Sequence, residues 1–387
     1  MTMRVPIAKP LLDEAERLAV LEPLMDGWVV QGPRVKAFEA LFGDFVGARH
    51  AIATSSCTTA LHLGLHALGV GPGDEVVVPA LTWVATANMV EVCGARPVFC
   101  DVDPRTWNLD VKKLEACLSA RTRAVIPVHL FGLAADLAAI EALTGPRNIP
   151  LLEDAACGFG ARISGRHVGT LGAMGCFSFH PRKAITTGEG GMLVTNDDAL
   201  AELCRSLRDH GALRSRDADA PFLLPDFPHV GFNYRLTDIQ AAVGVAQMGK
   251  AQTILAGRAH RAARYHDSLS GVSWLRRPET PDGLTHGWQS YVCLFAPEEP
   301  AISNCTALNA RRNNLMADLE ARGVTTRQGT HAVTTLTVFQ KKYGVVANDY
   351  PGALFGDRLT LALPLYPQMT DEEQDYVVSQ LQAAFGG

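Results

Sequence analysis

From Ala51 onward the chain repeats one rhythm: short runs that are apolar throughout, mostly separated by helix-length segments. The runs are AIATSS (51–56), EVVVPA (75–80), RPVFCDVD (96–103), RAVIPVHL (123–130), IPLLEDAA (149–156), GCFSFH (175–180) and GMLVTND (191–197). Runs that do not alternate apolar with polar belong to strands buried on both faces, as in a mostly parallel sheet with helices packed against it. Seven of them predict a large α/β layer domain. Ahead of them, a helix is expected around Leu11 to Met25 and a second one ending before Gly47, with Gly27-Trp28 and Gln31-Gly32-Pro33 as the loop between.

Residues 198–250 read as helical at both ends, with Leu236 to Lys250 the second helix, around an irregular middle, GALRSRDADAPFLLPDFPHVGFNYR (211–235). A loop of that length inside a compact domain usually covers a site or a partner surface. After it the texture changes. Ala251 to Leu269 reads as a helix, Gly287 to Phe295 as a strand, Leu308 to Arg322 as a helix closed by Gly323, and Thr370 to Phe385 as a last helix opened by the capping-box pair Thr370 and Glu373. The expected organisation is a large domain over 1–250 and a smaller α+β domain over 251–387, in keeping with a length of 387 residues.

Composition narrows the function. A net charge of -5 supplies no basic patch, which argues against nucleic acid as a partner. The nine cysteines (57, 93, 100, 117, 157, 176, 204, 293, 305) are odd in number and never form C-x-x-C. They read as reduced thiols of a cytoplasmic protein, with neither a disulfide framework nor a metal site. The N-terminal stretch lacks the uninterrupted apolar core of a signal peptide, and the most apolar long run, Val76 to Cys93, is broken by Pro79, Asn88 and Glu91, so no membrane span is expected. The glycine runs Gly69–Gly73 and Gly188–Gly191 fit neither a P-loop nor a strand-linked dinucleotide fingerprint.

Ligands of such sheets collect at the carboxyl ends of the strands. There the chain places Ser55 and Ser56, Thr82 and Trp83, His129, Asp154, and Ser178 with His180. Lys183 follows in the polar turn between two strand runs, ahead of Gly188-Glu189-Gly190-Gly191. It reads either as an exposed loop lysine or as a Schiff-base nucleophile. Ser55 to Ala60 opens a helix with hydroxyl residues, which makes either an ordinary N-cap or an anion site suited to phosphate. Asp154 ends a run that should be buried, so it either caps the next segment or faces a cation such as a protonated pyridine nitrogen. Trp83 either packs in a core or interface or lies flat on a planar ring. Together these four features supply the contacts that pyridoxal phosphate requires.

The motifs SSCTTALHLGLHALGVGPGDEVVVPALTWVATAN, PVFCDVDPRTWNLD, PVHLFG, LLEDAACGFGA, CFSFHPRKAITTGEGGMLVTND and GFNYRLTDIQAAVG resemble, in order and spacing, the DegT/DnrJ/StrS-type sugar aminotransferases, fold type I pyridoxal phosphate enzymes. The resemblance covers roughly residues 5–385. It implies Lys183 as Schiff-base lysine and proton shuttle, Asp154 as partner of the pyridine nitrogen and Trp83 as the stacking aromatic. Thr58, Thr59 and Ser178 are implied at the phosphate, and His180 and Cys157 near the cofactor. Asn233 is implied to reach the neighbouring subunit's phosphate, so that a homodimer shares its active sites. Cys157 stands where many members carry histidine or glutamine, and Gln289 and Thr334 stand where histidines are frequent. Gln289, Arg327 and His331 are the candidate substrate contacts.

The implied reaction moves an amino group from L-glutamate, or glutamine, to a keto-sugar, expected to be nucleotide-linked. The alternatives are a pyridoxal-dependent sugar dehydratase of the same family and a cyclitol aminotransferase. Lys183 argues against the dehydratase, because the known deoxygenating members carry histidine at that position.

Overall fold

A computed structural model describes residues 3–213 and 224–386. The middle of the expected loop, 214–223, therefore lies outside the described residues. The seven apolar runs form the strands β1 (His50–Thr54), β2 (Glu75–Pro79), β3 (Arg96–Cys100), β4 (Thr122–Val125), β5 (Leu152–Asp154), β6 (Met174–Ser178) and β7 (Gly191–Thr195). They lie side by side in the order β3-β2-β4-β5-β6-β7-β1, with β4 and β5 joined by the parallel bridges Val125–Leu151 and Val128–Asp154. β7 alone runs against its neighbours β6 and β1; the other pairings are parallel. β2 and β7 are buried at every position, as their unbroken apolar sequence requires.

Helices cover the sheet because each begins and ends on a local signal. α1 (Glu14–Met25) starts at a capping box of Asp13 and Glu16, and α2 (Pro33–Val46) ends on Gly47 at φ 78°. α3 (Cys57–Ala67) follows β1 and α4 (Ala85–Val92) follows β2. α5 (Asp198–Arg208) precedes the long loop, and α6 (Asp238–Gly249) follows it. Asp238 is fully buried and accepts from the amides of Gly32, Arg34 and Val35, which pins the start of α2 against α6.

Past α7 (Ala251–Ser268), a second, antiparallel sheet is formed by β8 (Leu275–Arg276), β9 (Tyr291–Phe295) and β10 (Thr360–Leu363), with β9 in the centre. Here the sequence reading needs two corrections. The strand expected from Gly287 begins only at Tyr291, because Trp288 has φ 47° and residues 287–290 dock instead on the turn at Gly132. A Cβ on Gly132 would stand 2.8 Å from the Gln289 amide, so glycine permits that approach. α8 (Ile302–Ala321) begins six residues before Leu308, since Asn304 accepts from the Ala301 amide at 2.8 Å and closes the first turn. α9 (Pro351–Leu359) and α10 (Asp371–Gly386) complete this part, and α10 has the expected reciprocal Thr370 and Glu373 bonds. The two parts meet in a short ladder that pairs Leu81–Thr82 with His331–Ala332.

Candidate active site

A cavity of about 590 Å³ opens where β5 and β6 end and α3 begins, within the usual range for a small-molecule site. Lys183 lies on its wall. The turn is closed by the Lys183 amide donating to the His180 carbonyl at 2.8 Å, and the return strand passes hard against the start of α3. A Cβ at Gly191 would come within 2.3 Å of the Ser56 carbonyl carbon, so only glycine lets the chain through. The Lys183 amine donates to Cys157 Sγ at 3.1 Å. Burial lowers the affinity of that amine for its proton, but the charge and hydrogen bond of Cys157, with Cys57 and Asp154 nearby, outweigh burial and hold it above the ordinary lysine range.

Asp154 ends β5, 4% exposed, with Oδ1 accepting from the Ala156 amide at 3.1 Å and Oδ2 accepting from the Thr86 hydroxyl at 2.8 Å. Its neighbour Glu153 points the other way. Glu153 accepts from the amides of Gly169, Leu171 and Gly172 and from His129 Nε2; burial opposes its charge, but these donors hold the carboxyl below its ordinary value. His129 also accepts from the Ala135 amide and is completely buried, so it braces the scaffold and does not line the cavity.

At the start of α3, Ser56 is the N-cap and Thr59 its reciprocal partner, at 3.1 Å from the Thr59 amide and 3.0 Å from the Ser56 amide. Thr59 thus spends its hydroxyl inside the turn and stands off the cavity wall, while Thr58 lines it. The first-turn amides of Cys57 and Thr58 have no intrahelical acceptor. Ser178 and His180 join the wall from the end of β6, and burial lowers the proton affinity of His180.

Trp83 lines the cavity with 62% of its surface exposed. Its ring centroid is 6.0 Å from that of His331, which itself stands off the wall, with Nδ1 3.8 Å from Asp357. Gln289 and Arg327 also line it, and Gln289 Nε2 donates to the Arg182 carbonyl at 2.6 Å, next to Lys183. Gln289 is placed by Arg258, a buried arginine whose Nε donates to the Trp288 carbonyl at 2.8 Å and whose Nη2 donates to that of Gln289 at 2.5 Å. Asn233 is exposed outside the cavity, its backbone bridged to Asp209. Thr86 and Arg258 were missed from sequence. Thr86 had a visible signal, a second threonine one helical turn after Thr82; Arg258 lay unmarked in an Ala/Arg/His helix.

Among the described residues no helix is long and apolar enough to cross a membrane, and no cluster of three or more His, Cys, Asp or Glu side chains could hold a metal ion. The chain is 38% identical over 380 residues to GDP-perosamine synthase of Caulobacter vibrioides, covering 98% of this chain and 97% of that one. Among solved structures, the aminotransferase TlmJ from Streptoalloteichus hindustanus superposes with a TM-score of 0.89 at 34% identity, over 99% of each chain. The putative sugar aminotransferase Spr1654 from Streptococcus pneumoniae, in its PLP form, superposes with a TM-score of 0.90 at 25% identity, over 99% of this chain and 98% of that one. Residues 10–382 match the profile of one family, and the chain belongs to it: the DegT/DnrJ/EryC1/StrS aminotransferase family.

Proposed function

We propose that this sugar aminotransferase moves an amino group from L-glutamate or L-glutamine to a nucleotide-linked keto-sugar, with pyridoxal phosphate held in the cavity between α3, β5 and β6. The observation that carries the reading is the meeting of Lys183 and the buried Asp154 on one wall with the open Cys57 and Thr58 amides at the start of α3. The donor set fits the cofactor: an anion cradle at one end, a buried carboxylate for the ring nitrogen and an amine between them. The name of the Caulobacter relative supports a nucleotide-linked acceptor.

When bound, pyridoxal phosphate supplies an electron sink for charge developing on the reacting carbon. The chain's own residues do the rest. The amides of Cys57 and Thr58 and the Ser178 hydroxyl would bind the phosphate, and Asp154 would hold a proton on the ring nitrogen. Trp83 would cover one face of the ring. Lys183 Nζ, once it has given up the proton that Cys157 and Asp154 favour, would take the proton from the donor's α-carbon and, in the return half, deliver one to the sugar carbon that receives nitrogen. Gln289 and Arg327 face the substrate. Residues 1–250 would carry the cofactor and 251–387 the smaller domain that closes over it. The active unit is a homodimer in this reading, with Asn233 reaching the partner's phosphate. Its exposure outside its own cavity supports that, as does the open face of Trp83.

Purified enzyme supplied with the cofactor should absorb in the visible, and Lys183→Ala should abolish that band together with turnover. A colourless wild type that still aminates nucleotide keto-sugars would sink the proposal.

A further inference from the structure

Asp154 is held by a chain of hydroxyls whose direction follows from counting protons. Thr86 Oγ1 lies 2.8 Å from Asp154 Oδ2, and Thr82 Oγ1 lies 3.0 Å from Thr86 Oγ1. Thr82, Thr86 and Asp154 are 1%, 0% and 4% exposed, buried at the edge of the cavity that all three help to line. A hydroxyl has one proton to give, and an ionised carboxylate only accepts. Thr86 therefore gives its proton to Asp154, and the bond between the two threonines can run only from Thr82 to Thr86. Bonds aligned in this way polarise one another in a buried setting.

The geometry has a second consequence. The other oxygen of Asp154 takes the Ala156 amide, a bond within the acid's own turn. The last torsion of an aspartate is soft, so that local bond leaves the carboxylate plane free to turn. Only the Thr86 bond comes from a different element, the first turn of α4. Thr82 in turn sits in the ladder opposite His331, which directly follows Arg327 to Thr330, themselves lining residues of the cavity.

We propose that Thr82 and Thr86 are positioning residues for the amino transfer: they fix the orientation of Asp154, and the Thr82–His331 ladder ties that orientation to the wall that holds the substrate. This rests on Asp154 being the partner of the cofactor's ring nitrogen. Neither threonine touches the reacting atoms in this role; both act through the acid.

Three variants test it in the cofactor-loaded enzyme: Thr86→Ala, Thr86→Ser and Thr82→Val. Thr86→Ala should lose cofactor on gel filtration about tenfold faster than wild type and lower kcat about tenfold to a hundredfold, with KM for both substrates within about twofold. Thr86→Ser keeps the hydroxyl and should stay within about threefold of wild type on both measures. Thr82→Val should have an effect smaller than that of Thr86→Ala, since Thr86 still donates to the acid. Equal behaviour of the alanine and serine variants would overturn the proposal, as would a Thr82→Val defect as large as that of Thr86→Ala. If the alanine variant does not fold, the isosteric Thr86→Val replaces it against serine. A neutral Thr86 with an inactive, colourless Lys183→Ala defeats this inference alone, whereas an active Lys183→Ala defeats the proposed function itself.

Discussion

The two walls of the cavity are built differently. The wall with Lys183 and Asp154 comes from strand ends and one helix start, where backbone bonds leave each side chain one place to be. Asp154 has 4% of its surface exposed and both oxygens bonded. The wall with Gln289 and Arg327 comes from irregular chain. Trp288 has positive φ, and the Arg327 side chain is 49% exposed, its Nη1 bonded only to the neighbouring Thr326 carbonyl at 2.7 Å and 3.8 Å from Glu320. Gln289 is buried and its Nε2 donates to the Arg182 carbonyl at 2.6 Å, so the loosely held group is the Arg327 head. A wall fixed by the sheet suits chemistry that must hold one geometry; a loosely held side chain suits recognition that differs from one sugar to the next.

If that contrast is right, damage to the first wall should appear in kcat and damage to the second in KM. The largest effect is expected for Asp154→Asn, which keeps the shape but accepts through one oxygen where the carboxylate accepts through two, and which removes the charge proposed to face the ring nitrogen. Breaking a buried charged pair costs about 3–5 kcal/mol, so kcat should fall by about two to four orders of magnitude with both KM values little changed. Steady-state kinetics with donor and acceptor varied in turn decides it. A variant whose loss lies all in KM would erase the distinction between the walls.

A smaller effect should show that the two walls are alike in what supports them. Behind the first, His167 donates from Nδ1 to the Val168 carbonyl and accepts the Gly160 amide at Nε2, and burial lowers its pKa to about 4. Behind the second, His286 accepts the Trp288 amide, stacks on that ring at 3.9 Å, and is lowered by burial to about 3. Each is depressed on folding, so the unfolded chain binds protons that the folded one refuses. Stability is then fully present above pH about 6.5 and is lost as pH falls toward 4 for His167 and toward 3 for His286. The His167 contribution is about 3 kcal/mol across its window, from 1.36 kcal/mol per pKa unit. Melting temperatures between pH 7 and 4.5 should fall more steeply for wild type than for His167→Gln or His286→Gln. Parallel slopes would mean that neither histidine stays neutral.

The same contrast explains what could be read from the sequence. Seven apolar runs gave seven strands in one sheet, because burial on both faces leaves a signal in every residue of the run. Asp154, Ser178 and Thr58 stand at strand ends or a helix start, Lys183 stands in the turn after β6, and each reaches the cavity. Thr59 and His331 do not, since a neighbouring group claims each of them: Ser56 the first, the ladder with Thr82 the second. Thr86 and Arg258 escaped notice because their partners, Asp154 and the Gln289 carbonyl, are 68 and 31 residues away. Such pairings are products of tertiary packing; the local sequence shows at most the second threonine after Thr82 and nothing at Arg258. The late start of β9 has the same origin, since its first residues answer to Gly132 and not to their own apolar sequence.

The smallest effect, and the one that defines the second wall, belongs to Arg327. Its backbone is fixed, bonded in both directions to Ala362 of β10 at 3.2 and 2.7 Å. Its head is not, since the Glu320 carboxylate is too far to saturate five donors. A guanidinium held at its stem and loose at its tip is suited to an incoming phosphate or carboxylate. Arg327→Ala should therefore raise KM for the nucleotide sugar about tenfold, with kcat and the visible cofactor band within about twofold of wild type. Arg327→Lys should recover part of the affinity, because a point charge replaces the fork. A rise in KM for the amino donor alone would place the donor carboxylate, and not the sugar's phosphate, at this position. A fall in kcat with KM unchanged would mean that this wall too takes part in the chemistry, and the division of labour between the walls would fail.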